Sequence, residues 1–247
     1  MSKSRLIAGI MLAFWSCQDS SKPSETYSKT TFSSAQNYSI SNLPIDSNLD
    51  HYIQTYRTEM KKKMDHVLTK TKEGSVKKRP QSALTNLMAD IVLEMSQEQT
   101  EIPIDFALVN FGGIRSSLPK GNVTLGTVYQ LMPFDNQLSV LQIHGDSLWS
   151  MLRYIKPRGG EPVSGIEIWY DEPEIRCEIK GKPFDRSKMY WVATSDYLAN
   201  GGDRMHFLSN PIRRVDLSLK LRDAIHHYVS RSEYLTLKPE IRLHYAQ

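Results

Sequence analysis

The sequence predicts a mixed α/β (α+β) domain, a mixed sheet with flanking helices, set behind an export signal and a flexible tether. Three observations predict it. Short apolar runs of strand length alternate with segments whose apolar residues recur at helical spacing. Several of these runs end in Gly- or Pro-marked loops. The first 47 residues differ sharply in composition from the rest, which leaves 48–247 as one domain-sized unit with no internal repeat.

The chain opens with Lys3 and Arg5, then an apolar run from Leu6 to Trp15. That run is too short to span a bilayer, which takes about 20 residues. It stops at Ser16-Cys17, a pattern that resembles a bacterial lipoprotein signal, with residues 1–16 removed and Cys17 lipidated. Phe14 stands where an aliphatic residue is usual, and a plain secretory signal or an uncleaved anchor are the alternatives. The expected location is therefore outside the cytoplasm, lipid-anchored to the cell envelope. Residues 17–47 are rich in Ser, Thr, Asn, Lys and Pro. They bury too little apolar surface to offset ordering entropy and read as a tether.

In the domain, Leu49, Tyr52, Ile53, Tyr56 and Met60 have helical spacing. Val67-Leu68 begins a strand. Ser82 caps a helix whose stripe is Leu84, Leu87, Met88, Ile91, Val92 and Met95. Asp105–Asn110 is a buried strand running into Gly112-Gly113. Thr124 caps a short helix through Val128 to Leu131. Gln137–His144 alternates as a strand, and Asp146–Ile155 is a helix. Gly159-Gly160 and Pro162 mark a loop, and Gly165–Asp171 alternates again. A hairpin turns at Gly181, Met189–Ser195 is a strand, Leu217–Tyr228 a helix, and Ile241–Tyr245 a last strand.

Bulk properties exclude some functions. A hydrophobic fraction of 40% and a charged fraction of 23% suit a packed core. A formal charge of +4, reduced to +2 by losing Lys3 and Arg5, is too small to argue for nucleic acid as a partner. The runs Lys61–Lys63 and Lys77–Arg79 read as solvated surface. Lipidation at Cys17 leaves Cys177 without a disulfide partner, so it reads as a buried small hydrophobe.

Three loops carry the chemistry: NFGGIR (Asn110–Arg115), PFDN (Pro133–Asn136) and YLANGGD (Tyr197–Asp203). Arg115 can present a guanidinium to phosphate in bidentate fashion. Phe134 and Tyr197 can sandwich a base, a contact worth roughly 1–3 kcal/mol per base. Asp203 can accept from ribose hydroxyls, and Asn110 and Asn136 can read polar edges. Gly112, Gly113, Gly201 and Gly202 permit close backbone approach. Taken singly, Phe134 could be core, Arg115 a surface ion pair, and Gly201-Gly202 an ordinary turn.

Taken together, these motifs resemble the C-terminal, substrate-binding domain of the 5′-nucleotidase and UDP-sugar hydrolase family, from about Ser82 to the C-terminus. TNLMAD and VSGIEIWYD belong to the same likeness. The resemblance implies that Asn110 and Arg115 contact sugar or phosphate, that Phe134 and Tyr197 clamp the base, and that Asp203 binds ribose. It also implies an upstream cation at Lys78 or Arg79, with Arg79 preferred. Departures are Tyr197 for a frequent Phe, Phe111 and Thr85 for common Gly, and Arg204 for a Gly after the aspartate.

Complete members carry an N-terminal metallophosphatase domain with two metal ions, which would activate water and offset phosphoryl charge. Its D-x-H, G-N-H-E and G-H-x-H motifs do not occur here, and of seven histidines only His226 and His227 are adjacent, on a predicted helix where neighbours diverge. No catalytic residue, metal or cofactor is expected in this chain. The resemblance implies the nucleotide-binding half of a phosphohydrolase, with divalent metals held by a separately encoded metallophosphatase. The alternatives are a surface lipoprotein that binds nucleosides or nucleotides without chemistry, and a structural relic.

Overall fold

The computed structural model describes residues 47–245 apart from 172, so the expected signal, Cys17 and nearly all of the tether lie outside the described residues. Six helices and twelve strands are described there. They are α1 (Ser47–Met64), β1 (Val67–Thr71), α2 (Ala83–Gln97), β2 (Phe106–Leu108), β3 (Gly121–Thr124), α3 (Leu125–Leu131), β4 (Gln137–His144) and α4 (Gly145–Ile155). After these come β5 (Val163–Ser164), β6 (Ile166–Tyr170), β7 (Arg176–Ile179), β8 (Lys182–Pro183), β9 (Met189–Ser195), α5 (Asp196–Ala199), β10 (Arg213–Lys220), α6 (Leu221–Val229), β11 (Tyr234–Leu235) and β12 (Leu243–Tyr245).

The central sheet has the order β10-β4-β9-β2-β5. β9 pairs with β2 in parallel, while β4 pairs with β9 and β10, and β2 with β5, in antiparallel fashion. Smaller sheets β11-β1-β3 and β12-β6-β7-β8 complete the mixed architecture.

Both faces of the central sheet are covered. Side chains on successive strand residues point to opposite faces. In β2, Ala107 accordingly joins one apolar cluster, with α2, α3 and α6, while Phe106 and Leu108 join another, with α4, β6 and β7. β4 divides the same way, Leu138 and Val140 to the first cluster and Leu141 and Ile143 to the second. Such doubly covered strands read as nearly unbroken apolar runs.

Local chemistry explains the helix starts. Ser82 caps α2 and Thr124 caps α3, each in a reciprocal box with a threonine three residues on, Thr85 and Thr127. All six apolar residues of the α2 stripe are buried, each contributing about 1.5–3 kcal/mol. The hairpin at Gly181 has Lys180 and Gly181 at φ 48° and 71°, the left-handed pair that a tight two-residue turn requires.

One expectation is corrected. The sequence suggests a single helix over Leu217–Tyr228, but 213–220 is a strand and the helix begins at Leu221. Leu217 and Leu219 face inward while Asp216 and Ser218 face out, a two-residue period inside a segment that also satisfies a helical stripe. Pairing of Arg213–Asp216 with β4 decides it. β3, β5 and β11, only two to four residues long, are too short to show in the apolar pattern.

The C-terminus is locked onto α2. Gln81 Oε1 accepts from the Arg242 and Leu243 backbone N–H groups at 2.8 Å each. The Arg242 guanidinium forks onto Asp90, at 2.8 Å and 2.9 Å, and also donates to the Val163 carbonyl.

Cys177 is buried, and burial pushes its thiol up to about 12. Only the thiolate alkylates. At pH 8 the folded protein is therefore expected to leave Cys177 unmodified by iodoacetamide, whereas the chain unfolded in concentrated guanidinium reacts fully; mass spectrometry of both samples checks this.

Candidate functional site

β2 and β9 run parallel, so their carboxyl ends lie at the same edge of the central sheet, where ligands of open α/β sheets commonly bind. Asn110 follows β2 by two residues, and Tyr197 follows β9 by two. β4 enters this edge from the other direction. Its residue Leu138 pairs with Ser195, so the Phe134–Asn136 loop leaves the sheet beside the Tyr197 loop. The topology therefore brings all three loops to one rim.

Asp203 ties two of them together. Its Oδ2 accepts from Asn110 Nδ2 at 2.6 Å, and its Oδ1 accepts from the Tyr197 hydroxyl at 2.9 Å. Its own N–H donates back to the Tyr197 oxygen at 3.1 Å. Asp203 sits at φ 52° and Arg204 at φ 64°, left-handed values that cost a non-glycine residue roughly 1–3 kcal/mol. The Tyr154 hydroxyl holds the strained segment by donating to the Asp203 carbonyl at 2.5 Å. Burial raises the Tyr154 phenol above its ordinary value, against the pull of Arg158, with Glu161 and Asp203 adding to the rise, so it remains a donor at neutral pH. A carboxylate has about four acceptor positions, and two of those on Asp203 remain.

The glycines have largely internal reasons. A Cβ on Gly202 would strike the Tyr197 ring at 2.5 Å, one on Gly113 would meet Asn110 Oδ1 at 2.7 Å, and one on Gly201 (φ +84°) would meet Ser209 Oγ at 2.7 Å. At these three positions the missing side chain makes room for the chain's own groups, not for a ligand. At Gly112 the nearest atom stands 3.7 Å away, and it is Asp203 Oδ2. Gly112 is thus the backbone position that leaves room beside the carboxylate.

The third loop is joined differently. The Arg115 N–H donates to the Leu131 carbonyl at 2.9 Å, linking the NFGGIR turn to the end of α3. The Arg115 guanidinium lies 5.8 Å from the Phe134 ring centre and has no ion-pair partner among the described residues. Phe134 and Tyr197 are 38% and 42% exposed, which excludes the core reading for either. Arg222 on α6 pins the loop by bonding to the Asp135 carboxylate and the Pro133 carbonyl. That bond, with Lys220 nearby, holds the Asp135 carboxyl below its usual range. Asn136 is half-buried; its carbonyl accepts from the Leu221 N–H.

Arg79, for which the resemblance implies a phosphate contact, has internal partners. Its guanidinium pairs with Glu161 at 3.2 Å, donates to the Arg158 and Gly160 carbonyls, and covers the Phe111 ring at 4.4 Å. Lys78 is exposed and has no partner among the described residues. Glu161, 1% exposed, also accepts from Arg158 Nε at 3.0 Å and from the Phe111 N–H at 2.6 Å. It fixes the NFGGIR turn from behind. Sequence reasoning missed Glu161, Arg158 and Tyr154. A lone acid between glycine and proline gives no periodic signal, although the charged Arg158-Gly-Gly-Glu161 string hinted at a bridged loop.

A family model described as "5′-nucleotidase, C-terminal domain" matches residues 63–210. This chain belongs to that family. It is 27% identical over 168 residues to an apyrase of Tabanus yao, a match covering 59% of this chain and 30% of the apyrase. It is 34% identical over 137 residues to the trifunctional nucleotide phosphoesterase protein YfkN of Bacillus subtilis (strain 168), covering 49% of this chain and 9% of that protein. Among solved structures, a 5′-nucleotidase precursor from Thermus thermophilus superposes with a TM-score of 0.69 at 26% identity, over 82% of this chain and 44% of that one. The chain thus spans less than a third of these curated relatives and under half of the solved one.

Removing Glu161 leaves two guanidinium groups and a backbone N–H without their shared acceptor. Glu161→Ala is expected to lower unfolding stability by about 3 kcal/mol, in the range for breaking a buried pair. Urea denaturation checks it; a loss under about 1 kcal/mol would show that the turn is held by other contacts.

Proposed function

We propose that this chain is the nucleotide-binding half of a 5′-nucleotidase-type phosphohydrolase and acts with a separate metallophosphatase chain. The observation that carries the reading is the Asp203 network: a half-buried carboxylate, with acceptor positions to spare, set beside an exposed tyrosine, an open glycine backbone and Asn110. In this reading Tyr197 and Phe134 grip the base, Asp203 takes the ribose hydroxyls, and Asn110 and Asn136 complete the polar contacts. Arg115 supplies the cation for phosphate, and Lys78, which is exposed, is the second candidate. Arg79 contributes by shaping the turn.

The hydrolytic chemistry falls to the partner. Among the described residues no three His, Cys, Asp or Glu side chains come together as a metal site. The two metal ions of the complete enzymes would supply an activated water and charge neutralisation. In this reading this chain's part is to bind and orient the nucleotide. Membership of the 5′-nucleotidase family supports nucleotide metabolism as the setting. The basic and apolar N-terminus supports export, with Cys17 as lipid anchor.

Calorimetry with AMP, adenosine and UDP-glucose tests the pocket. Phe134→Ala and Tyr197→Ala are each expected to weaken AMP binding by roughly 5- to 150-fold, the equivalent of about 1–3 kcal/mol of stacking. Unchanged affinity in both variants would overturn the pocket assignment. Mixing the chain with its metallophosphatase is expected to raise AMP hydrolysis well above that of the phosphatase alone. An unaltered rate, with AMP still bound, would leave a nucleotide-binding protein without a catalytic partner.

A further inference from the structure

The left-handed residues Asp203 and Arg204 lie at the surface, yet the group that holds them is built from the core. Tyr154 belongs to α4, whose Met151, Leu152 and Ile155 are buried in the second apolar cluster. Its ring meets the Phe207 ring edge-on at 5.4 Å and lies 4.7 Å from the Arg158 guanidinium. Arg158 is in turn held by the buried Glu161 carboxylate at 3.0 Å. The Tyr154 ring is therefore gripped by fixed neighbours, and from that position its hydroxyl donates to the Asp203 carbonyl at 2.5 Å.

The other contacts of Asp203 do a different task. Tyr197 lies in the same loop, so its two bonds with Asp203 close that loop on itself. Asn110 joins the carboxylate to the neighbouring loop. These set the direction of the side chain within the rim. A loop with two strained residues has a standing tendency to relax, and the Tyr154 hydroxyl is the contact that ties its backbone to a core helix.

We infer that Tyr154 is a positioning residue that makes this rim select ribonucleotides over 2′-deoxyribonucleotides, acting through the Asp203 backbone; the inference rests on the proposed function above. The Asp203 carboxylate keeps two acceptor positions, and a ribose carries two adjacent hydroxyl donors, on C2′ and C3′. Both bonds form together only when the carboxylate stands in one orientation, as in any bidentate contact. A 2′-deoxyribose offers one hydroxyl, which a carboxylate can accept in several orientations. A fixed carboxylate thus favours the ligand with two donors, and a freed one loses part of that advantage. Glu161 extends the same logic, since it braces Arg158 on one side and the Phe111 N–H of the Asn110 loop on the other. The two loops that meet at Asp203 are in this way held from one buried acid.

Calorimetry of the natural chain and of Tyr154→Phe, with AMP and with 2′-deoxy-AMP, tests this. Phenylalanine retains the ring that meets Phe207 and Arg158 and removes only the donor. The natural chain is expected to bind AMP at least roughly tenfold more tightly than 2′-deoxy-AMP, the equivalent of one hydrogen bond to a charged group. In Tyr154→Phe the ratio is expected to fall below about threefold, mainly through weaker AMP binding, because the cost of orienting the carboxylate now falls on the ligand. Asparagine tolerates left-handed backbone but has a single acceptor oxygen, so in an Asp203→Asn background the same tyrosine change is expected to move the ratio by less than about twofold. Equal affinities for the two ligands in the natural chain, an unchanged ratio in Tyr154→Phe, or an equal loss for both ligands overturns the inference and leaves the nucleotide site standing. So does a full effect of the tyrosine change in the Asp203→Asn background, or a Tyr154→Phe chain that no longer folds, which assigns Tyr154 to stability alone. Absence of AMP binding to the natural chain removes the proposed function, and this inference with it.

Discussion

A single carboxylate organises the rim of this domain. Asp203 sits in a backbone conformation that a side chain disfavours, and it is kept there from three directions: Tyr154 on its carbonyl, Asn110 on one carboxylate oxygen, Tyr197 on the other. Those three residues come from α4, from the end of β2 and from α5, elements separated by much of the sequence. The central sheet makes their meeting possible. Because β2 and β9 are parallel neighbours, Asn110 and Tyr197 emerge at one edge, and a glycine pair after Tyr197 lets the ring lie over its own loop. The strain at Asp203 is thus offset by hydrogen bonds that also preset its direction. A ligand meeting it encounters an acceptor already oriented, with less ordering left to do on binding.

Behind that rim lies a second buried carboxylate with the opposite task. Glu161 has three donors and little exposure, so it has scant capacity for a ligand. Its effect is to hold Phe111, Arg79 and Arg158 as one unit beneath the NFGGIR turn. The two acids divide the labour by burial: the covered one fixes backbone, and the half-open one keeps acceptor positions toward solvent. Arg222 does the equivalent service for the Phe134 loop from α6.

Much of this was legible in the sequence. Helix starts at Ser82 and Thr124 follow from hydroxyl caps, a local rule that tertiary structure has little reason to overturn. Long strands such as β4 and β9 show in their apolar runs. β10 did not, because Leu217, Leu221 and Ile225 fall at helical spacing and satisfy a helical stripe, and only pairing with β4 separates the strand from the helix that follows it. The three site loops were legible because their glycines and aromatics cluster within a few residues. The supporting residues were not: Glu161, Tyr154 and Arg222 act across long sequence separations, and nothing local marks an acid or arginine as the partner of a distant loop. Arg79 shows the same limit from the other side: the family resemblance implied a phosphate contact, and nothing local signalled that Glu161 and the Gly160 carbonyl engage its guanidinium. α1 was readable as a helix from its stripe, but the stripe could not say that the domain leaves it uncovered.

The most direct test of the account is a crystal structure of the domain with AMP. The account predicts the adenine ring between Phe134 and Tyr197, the ribose hydroxyls on Asp203, and the phosphate toward Arg115. AMP seated elsewhere, for example in the groove of about 910 Å³ between α2, the β6–β7 hairpin and residues 236–242, would contradict it, as would Phe134 and Tyr197 turned away from one another around an empty rim.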